Sequence, residues 1–480
     1  MRAKVFSLAV AFLTITALIG MPALPVQAIA YGTSFTSSVT YQNVGSAPTT
    51  TLTLNFYPAG SSTAIPVTLG NLAKYAASSI YVGSLSSISS GFQGSAVLSS
   101  DQPMVATLVQ VPPSTSTVKN RPLSNGFSNG APVISIATVM KNAPTNTSFS
   151  IQNVDPSHGA DLTVQFYAIG STTPITDTVT NLPSGSSKIY DMGTFSKITS
   201  STFNGSVTIT AKQTGTTTDG SIVGSALELS TTSDAADAFE STSGGASKVY
   251  MPSAFCNYGA HSNITSYYAI QNVDPSADSQ VTANYSNGNH EGPITIHAGN
   301  KFSFGGCDAA SGNTAGFIGS AIVNSSGGQI VGIGKIVGDG LTTAFIGASS
   351  GSEKLAAPYV RYTTAHWYDG TRQRAFIAIQ NVGSALNAGD VKVYYYDKTG
   401  ALVGTDTNTK SLAMGDKFST SAANLGTAGA EFGFSSSGTG GAVIINGPTG
   451  SQLVAIVRIQ TYLVSTGGMV GEDYNAMPIQ

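Results

Sequence analysis

Hydrophobic and polar residues alternate along much of this chain. Residues 51–56 and 391–395 change character at nearly every position and are rich in β-branched and aromatic side chains. A period of two predicts strands with one buried face, and no long stretch shows the helical period of 3.6. Gly, Ser, Pro and Asn punctuate these runs, as they do between the short strands of a sandwich. The pattern therefore predicts an all-β, antiparallel chain with almost no helix.

One short signature divides the chain into four parts. The sequence Gln-Asn-Val occurs four times, with its asparagine at positions 43, 153, 272 and 381, and an aromatic residue follows thirteen positions later each time. These aromatic residues are Phe56, Phe166, Tyr285 and Tyr394. Steps of 110, 119 and 109 residues indicate whole domains rather than a short-repeat solenoid. We predict four tandem antiparallel Ig-like β-sandwich domains in an elongated array, at residues 29–120, 130–240, 248–350 and 355–480.

Two further patterns recur within the repeats. The strand before each Gln-Asn-Val and the strand after it are expected to form a hairpin around a turn at Val-Gly-Ser or Val-Asp-Pro. Farther on, three repeats carry Phe-x-Gly-Ser before an apolar strand, and the fourth has Gly440-Gly441-Ala442-Val443 instead. A last apolar strand is expected to close each repeat.

The fourth repeat carries a more specific resemblance. Residues 377–400 contain an apolar strand, then Gln-Asn-Val-Gly-Ser, then Val-x-Val-x-Tyr-Tyr-x-x-x-Gly. This order is similar to the CARDB-like and other Ig-like repeats of bacterial surface proteins. The resemblance covers all four repeats, and it implies adhesion, spacer or envelope modules that have no enzymatic chemistry of their own. It says little about function, because β-sandwiches host many roles.

The beginning of the chain has the features of a secretory signal peptide. Arg2 and Lys4 precede an apolar run over residues 5–19, and a break at Pro22 and Pro25 leads to a Val-x-Ala site ending at Ala28. We expect residues 1–28 to be cleaved and the mature protein to be secreted or held at the cell surface. The alternative is a membrane anchor, but the run falls short of the ~20 residues of a span. No membrane span is expected after cleavage.

The amino-acid composition limits the kinds of molecule that this protein is expected to bind. Only 9% of residues are charged, against about 25% in ordinary soluble domains. A surface of this kind offers no basic stripe for nucleic acid and no polybasic patch for lipid. Because little charge repulsion opposes self-association, the expected partner is the protein itself, as a homopolymer. Cell-surface glycans and other envelope proteins are the alternatives.

The chain contains two cysteines, Cys256 and Cys307, both in the third repeat. An even pair in a secreted chain predicts a disulfide. The alternative is a pair of buried free thiols.

The two ends of the repeated region look complementary. Pro132, Pro252 and Pro358 each lie about twenty residues before a signature asparagine, and we interpret each as the entry to a first strand. Repeat 1 would carry its copy inside the signal peptide, so it is expected to lack that strand. Pro478 follows Pro358 by one period, so the tail resembles the start of a fifth first strand.

The regular spacing of these prolines suggests that molecules exchange a strand. The tail around Tyr474, Met477, Pro478 and Ile479 would complete repeat 1 of the next molecule. Such a head-to-tail contact generates a filament. The alternative is a frayed C-terminus.

Motifs for catalysis are absent from the sequence. The five histidines show no standard metal spacing, and neither a G-x-S-x-G nor an H-E-x-x-H motif occurs. Asp155-Pro156 and Asp274-Pro275 are better explained by turn initiation than by calcium binding. We expect no enzyme, no cofactor and no metal.

Two kinds of surface site remain as candidates. Trp367 and Tyr368 are candidate ligand-contact aromatics, for instance for a sugar, with a hairpin or interface role as the alternative. The candidate glycosylation acceptors in N-x-S/T sequons are Asn146, Asn204, Asn263, Asn284 and Asn324. For Asn204 a structural turn is the better explanation.

These features favour a secreted structural subunit of an extracellular filament or surface layer. The alternative is a monomeric adhesin or carbohydrate-binding stalk protein. The latter should show one divergent repeat with an exposed aromatic cluster, for which the region of Trp367 and Tyr394 to Tyr396 is the candidate.

Overall fold

Antiparallel sheets are the dominant regular structure of the described chain. The computed structural model describes residues 29–113, 116, 118–261, 263–363, 372–435, 438–463 and 468–479. Helix is limited there to short 3₁₀ segments at Val82–Ser84, Ala309–Ser311 and Ala422–Gly429. The predicted all-β class is confirmed. Nowhere in these ranges is a helix long and apolar enough to cross a membrane.

Repeat 1 contains two sheets. Its strands are β1 (Thr36–Asn43), β2 (Leu52–Pro58), β3 (Ile65–Thr68), β4 (Ala77–Tyr81), β5 (Gly94–Ser100), β6 (Met104–Val111) and β7 (Leu123–Asn125). One sheet has the order β4-β1-β6-β7 and the other the order β3-β2-β5. Val39 and Tyr41 from the first sheet and Leu54 and Phe56 from the second share one hydrophobic core.

Repeat 2 has the same plan with added strands. They are β8 (Val133–Lys141), β9 (Thr145–Asn153), β10 (Ala160–Ala168), β11 (Ile175–Leu182), β12 (Ser187–Asp191), β13 (Phe203–Gln213), β14 (Ile222–Ser230), β15 (Ala236–Glu240) and β16 (Thr242–Ser243). The sheets have the orders β11-β10-β13-β8-β16 and β12-β9-β14-β15. Strand β8 thus covers the side of β13 that corresponds to the free side of β5.

Repeat 3 has two four-stranded sheets. Its strands are β17 (Lys248–Cys256), β18 (Thr265–Asn272), β19 (Ser279–Tyr285), β20 (His290–Ile296), β21 (Lys301–Gly305), β22 (Phe317–Gly327), β23 (Ile330–Gly338) and β24 (Leu341–Ile346). The orders are β17-β22-β19-β20 and β21-β18-β23-β24.

Repeat 4 completes the described chain. Its strands are β25 (Lys354–Ala357), β26 (Arg372–Asn381), β27 (Lys392–Asp397), β28 (Leu402–Thr407), β29 (Lys417–Thr420), β30 (Phe434–Ser435), β31 (Gly438–Thr439), β32 (Gly441–Asn446), β33 (Leu453–Leu463), β34 (Gly468–Asn475) and β35 (Met477–Pro478). Its main sheets have the orders β28-β27-β32-β25-β35 and β29-β26-β33-β34, and β30 pairs with β31.

The aromatic residue of each repeat lies in a core, with one shift of register. Phe56, Phe166 and Tyr285 are buried as expected. In repeat 4 the fully buried ring belongs to Tyr395, while Tyr394 is only half-buried. Constant spacing from the asparagine therefore fails in repeat 4, where the inward position comes one residue later.

The predicted hairpin around each Gln-Asn-Val is wrong. Strand β1 pairs with β4 and β6, whereas β2 pairs with β3 and β5, so the two strands lie in different sheets. The same division separates β9 from β10, β18 from β19 and β26 from β27. The signature is therefore the crossing from one sheet of a repeat to the other.

Proline does not mark strand entry consistently either. Pro132 precedes β8, but Pro252 lies inside β17 at a break in register, and Pro358 follows the end of β25. Pro478 lies in β35, which pairs with β25 of the same repeat. This is the place that β16 takes on β8 in repeat 2, so the tail corresponds to that strand and not to a fifth first strand.

The repeats form a closed ring, and the predicted elongated array is wrong. The last strands of the four repeats contact one another in cyclic order: β7 with β15, β15 with β24, β24 with β34, and β34 with β7. These four strands surround a common axis, and repeat 4 also contacts repeat 1 elsewhere. Sequence spacing specifies the size of a repeat, but the closing contacts arise from residues far apart in the chain.

Candidate functional site

The asparagine of each signature holds the crossing between the two sheets. Its Nδ2 donates to two or three backbone carbonyls, and its Oδ1 accepts the backbone N–H of the residue two positions on. In repeat 3, Asn272 donates to Ala277 at 2.7 Å and Ile296 at 2.9 Å, and accepts from Asp274 at 3.1 Å. The equivalents are Asn43, Asn153 and Asn381, and all four are fully buried. Such an amide satisfies backbone groups that would otherwise be buried without partners.

The glutamine before each asparagine binds a turn of its own repeat, at the junction with the preceding repeat. Its Nε2 donates to the carbonyl of one residue with a positive φ, at 3.1–3.3 Å in the four repeats. That residue is Tyr75, Gly185, Gly299 or Gly415, with φ of 64°, 75°, 76° and 92°. Glycine reaches this left-handed region without strain, whereas a tyrosine rarely adopts it.

The same carbonyl accepts a second hydrogen bond from the preceding repeat. Ser95 donates to Gly185 at 2.8 Å, Ser206 to Gly299 at 2.6 Å and Ser320 to Gly415 at 2.6 Å. These serines end the Phe-x-Gly-Ser pattern. The two recurring patterns of the sequence therefore meet at the repeat junctions, one from each side.

The junction that closes the ring is different. Repeat 4 has Ala442 at the serine position, and repeat 1 has Tyr75 at the glycine position. Here the Tyr396 ring packs on the Tyr75 ring, with 4.6 Å between centroids. In the first two junctions the tyrosine equivalent to Tyr396 packs directly against the glycine, as Tyr57 does on Gly185 and Tyr167 on Gly299. An aromatic pair thus replaces the serine contact.

A cavity of about 220 Å³ lies at this closing junction. Its walls are Val44, Tyr75, Lys354, Tyr394, Tyr396, Ile444, Asn446 and Ile479. The Oδ1 atom of Asn446 is buried and has no hydrogen-bond partner among the described residues. Of the exposed aromatic cluster expected around Tyr394 to Tyr396, the half-buried Tyr394 and Tyr396 border this cavity together with Tyr75, whereas Tyr395 is buried in the core of repeat 4.

Hydrogen bonds and ion pairs join neighbouring repeats around the ring axis. Glu240 of repeat 2 accepts the Asn125 backbone N–H, and Asn475 of repeat 4 bonds both backbone groups of Ile346 at 2.7 and 2.8 Å. Asn125 also donates to the Asn475 carbonyl at 2.9 Å. These contacts link β7 with β15, β24 with β34, and β7 with β34.

Buried charges form part of this axial core. Lys335 pairs with Glu228 and Asp237, Arg121 with Glu472 at 3.1 Å, and Arg458 with Asp473 at 2.7 Å. The first two of these connections run between repeats. A buried ion pair adds little net stability, but removal of one partner leaves an uncompensated charge.

Burial shifts the ionisation of these axial groups. Burial raises the pKa of Asp237, Glu240 and Glu472 to about 7 each, partly offset for Asp237 by Lys335 and for Glu472 by Arg121. Burial alone lowers the pKa of Lys335, but Asp237 and Glu228 raise it overall. The axis therefore holds carboxyl groups that titrate near neutral pH.

The described residues show no arrangement typical of a metal site. No group of three His, Cys, Asp or Glu side chains is placed to bind an ion within those ranges. His158, His261 and His297 each pair with a single aspartate. Asp155 and Asp274 accept backbone N–H groups two and three residues on, which is the turn role expected of them.

Other sequence-predicted residues are spread over the molecule. Cys256 and Cys307 form the predicted disulfide, with a sulfur–sulfur distance of 1.99 Å. Trp367 and Tyr368 lie outside the described residues. The tail is docked on its own repeat: Tyr474 is buried, and Met477 and Pro478 pair with Ala356 and Leu355. Ile479 donates its N–H to the Lys354 carbonyl at 3.1 Å.

The five sequons differ in accessibility. Asn146 is fully buried and its Oδ1 accepts the Asn142 N–H, so the folded chain has no room for a glycan there and that prediction is corrected. Asn204 and Asn263 are exposed, while Asn284 and Asn324 are half-buried within strands. Exposed acceptors are thus limited to two of the five.

Sequence reasoning missed the axial charges and the strands that carry them. Strands β7, β15, β24 and β34 were not predicted, although acids at positions 237, 240, 472 and 473 are conspicuous in a chain with 9% charged residues.

Comparison with protein-family models, with curated proteins and with solved structures finds no match for this chain.

Proposed function

We propose that this chain is a secreted, non-enzymatic structural protein, built of four Ig-like β-sandwich domains, that serves as a subunit of an extracellular layer or filament. The observation that carries the proposal is that the recurring residues serve the architecture of the chain. Asparagine, glutamine and serine of the repeated patterns all hold backbone crossings or junctions between repeats. They maintain one rigid shape and leave no recurring side chain for chemistry.

Composition supports the same proposal. A surface with few charges opposes self-association only weakly. The disulfide fits an oxidising, extracellular compartment. A structural subunit outside the cell needs both properties.

The route of assembly differs from donation of the tail as first expected. Met477 and Pro478 already pair with β25, and Tyr474 lies in the core of repeat 4. Donation to another molecule would require the tail to leave these partners. We therefore propose that subunits meet through surfaces of the closed ring.

Electron microscopy of purified residues 29–480 tests the proposal. We expect sheets or filaments at high protein concentration, with a spacing set by the ring. A matched truncation that ends at residue 476 removes only β35 and the residues after it, so it separates the tail from the fold of β34. Assembly should survive this truncation. Dispersed single particles of the full mature chain under all conditions would contradict a structural subunit.

The cavity at the junction between repeats 4 and 1 favours a second candidate function, the binding of a small carbohydrate at a cell surface. Aromatic rings and a free amide oxygen are the groups that contact sugars in shallow sites, and Tyr75, Tyr396 and Asn446 provide them here. The volume is sufficient for about one sugar ring.

Saturation-transfer NMR with glucose, mannose and N-acetylglucosamine tests this candidate. Binding to the wild type should be lost in Tyr394→Ala and retained in Tyr267→Ala, which removes a tyrosine 43% exposed in repeat 3. Absence of signal for all three sugars, or equal binding by both variants, would show that the cavity is not a binding site for these sugars.

A further inference from the structure

Strand β5 of repeat 1 has one unpaired side. It pairs with β2, and no described residue pairs with its other side. The equivalent strands β13, β22 and β32 are each paired on both sides, the second partner being β8, β17 and β25. The three other repeats thus show what fills this place: one antiparallel strand.

The core beneath this place is uncovered. Ala96 of β5 is exposed and Leu98 is half-buried, although both face inward opposite Phe56 and Leu54. Their equivalents in the other repeats are at most 1% exposed: Val207 and Ile209, Ala321 and Val323, and Val443 and Ile445. A strand laid along β5 would bury this apolar surface, which is favourable at about 25 cal/mol per Å².

The edge carries none of the usual protection against pairing. Residues Gly94–Ser100 contain no charged residue and no proline, and their pairing with β2 runs without a break in register. Natural edge strands commonly use charge, proline or a bulge to prevent contact with another strand. Strand β5 is therefore open to pairing.

Both described ends of the chain are engaged elsewhere. At the N-terminal end, Ala30 and Tyr31 donate to the carbonyls of Ser233 and Ser230 in repeat 2. At the C-terminal end, β35 pairs with β25. Among the described residues, neither end of the chain is therefore placed to pair with β5, which favours an occupant from another molecule.

We propose that two copies of this protein dimerise through their β5 strands, antiparallel and centred on Val97. In this register Ala96 faces the second copy's Leu98, Ser95 faces Ser99 and Gly94 faces Ser100. On the inner face Ala96 meets the larger Leu98, and on the outer face serine meets serine on either side of a central Val97 pair. Sheets β3-β2-β5 of the two copies become one six-stranded sheet.

A second copy suits this edge for physical reasons. The strand is self-complementary in size, and it brings no charge to the twofold axis, where like charges would meet. One contact covers Ala96 and Leu98 in both copies at once, and it is closed by symmetry. Repeat 2 indicates that there is room beside β5 for the strands of a second copy. There β13 forms the same serine junction as β5, and it still pairs with β8, which has β16 on its far side. The dimer goes beyond the proposed function, since it forms whether or not larger assemblies grow.

Light scattering during size exclusion tests the dimer with residues 29–480 at 10–100 µM, approximately the range in which modest interfaces form. The wild type should elute with twice the chain mass. Val97→Lys places two like charges at the axis and should shift the mass to that of a monomer. Ile169→Lys is the matched control, because Ile169 is an exposed turn residue of repeat 2 at 51% exposure, and it should remain dimeric.

Cross-linking tests the register without relying on a disruptive charge. No free cysteine is present in the described chain, so a single added thiol reports on its own contact. Val97→Cys should form a disulfide-linked dimer under mild oxidation, because facing residues of antiparallel strands have Cα atoms roughly 4.5–5.5 Å apart. Ser99→Cys, which faces Ser95, should cross-link at least about tenfold less.

Three results would overturn the proposal: a monomeric wild type, a dimer that persists in Val97→Lys, or equal cross-linking at positions 97 and 99. A peptide with the sequence of residues 133–141, the β8 strand, distinguishes another occupant. Binding of this peptide, but not of a scrambled one, to a monomeric wild type would show that the edge takes a foreign strand instead of a second copy.

Discussion

The hydroxyl of Ser206 donates a 2.6 Å hydrogen bond to the carbonyl oxygen of Gly299, so that a backbone atom of repeat 3 accepts a side chain of repeat 2. Gln271 donates to the same oxygen at 3.2 Å from within the second of these repeats. The junction therefore depends on the close approach of a backbone turn, and a side chain on that turn would interfere.

Substitution of Gly299 by alanine tests this close approach. Gly299 has a φ of +76°, and a Cβ atom there would lie 2.5 Å from the Tyr167 ring. Gly215→Ala is a matched control, since its φ is +72° and nothing lies within 4 Å of its Cβ position. In both variants the alanine must adopt a left-handed backbone conformation, which destabilises the fold. Only Gly299→Ala also places a Cβ atom against the Tyr167 ring. We expect Gly299→Ala to lower the free energy of unfolding by about 1–3 kcal/mol more than the control. Equal losses in chemical denaturation would show that the junction is loose.

Truncation of a signature asparagine should be among the most damaging single changes. Asn272→Ala leaves the carbonyls of Ala277 and Ile296 and the N–H of Asp274 without their amide partner in a buried site. We expect a loss of about 3 kcal/mol or more, because each buried group left unpaired costs about 1–3 kcal/mol. Asn129→Ala, at an exposed asparagine whose side chain donates to the neighbouring Ser128 hydroxyl, should change stability by less than about 0.5 kcal/mol. Thermal and urea unfolding measure both, and a mild effect at Asn272 would mean that water replaces the amide.

The sequence predicted strands well and their connections poorly. Alternation identified β2 and β27 because each has one buried face, and period two is a local property. The partners of those strands are set by contacts between distant residues, which alternation does not encode. Local alternation therefore predicts a hairpin at the Gln-Asn-Val turn, although the amide of Asn272 bonds to Ile296, a residue 24 positions away.

The axial core was harder to predict for a second reason. Asp237 and Glu472 are charged residues in strands, and local pattern places such residues on a solvent-exposed face. They are buried because the ring closes over them, with Lys335 and Arg121 as partners from other repeats. The sequence alone shows the adjacent tyrosines 394 to 396 of repeat 4, but their neighbour Tyr75 becomes apparent only when the first repeat meets the fourth.

Removal of the disulfide should weaken repeat 3. The bond between Cys256 and Cys307 closes a loop with a sequence separation of 51, for which chain entropy gives a stabilisation of about 4 kcal/mol. The Cys256→Ser, Cys307→Ser double variant is expected to unfold at lower denaturant concentration, with hydrogen exchange increased first in β17, which ends at Cys256, and in β21, which precedes Cys307. The wild type in reductant should match it. Unchanged exchange in repeat 3 would indicate that the closed ring already restrains the loop.

Glu240 should make the ring more stable in mild acid than at neutral pH. Its carboxyl is buried and accepts the Asn125 N–H, and burial raises its pKa to about 7. The folded state therefore binds more protons than the unfolded state between pH ~4 and 7, so this stabilisation is greatest at the acidic end and is lost as the pH approaches 7. Asp237 and Glu472 act in the same direction. Above pH 7 the opposite effect of Lys301 begins, because burial lowers its pKa to about 7.

The Glu240→Gln variant isolates this contribution. Its amide oxygen can still accept the Asn125 N–H, but it carries no charge, so stability should change less between pH 4.5 and 7. We expect the variant to exceed the wild type by about 1–2 kcal/mol at pH 7 and to approach it at pH 4.5, as measured by urea unfolding across the range. Asp219→Asn, which neutralises a carboxylate 63% exposed, is the matched control and should follow the wild-type profile. Parallel profiles for wild type and Glu240→Gln would mean that Glu240 stays ionised in the folded ring, with water reaching the contact between β7 and β15.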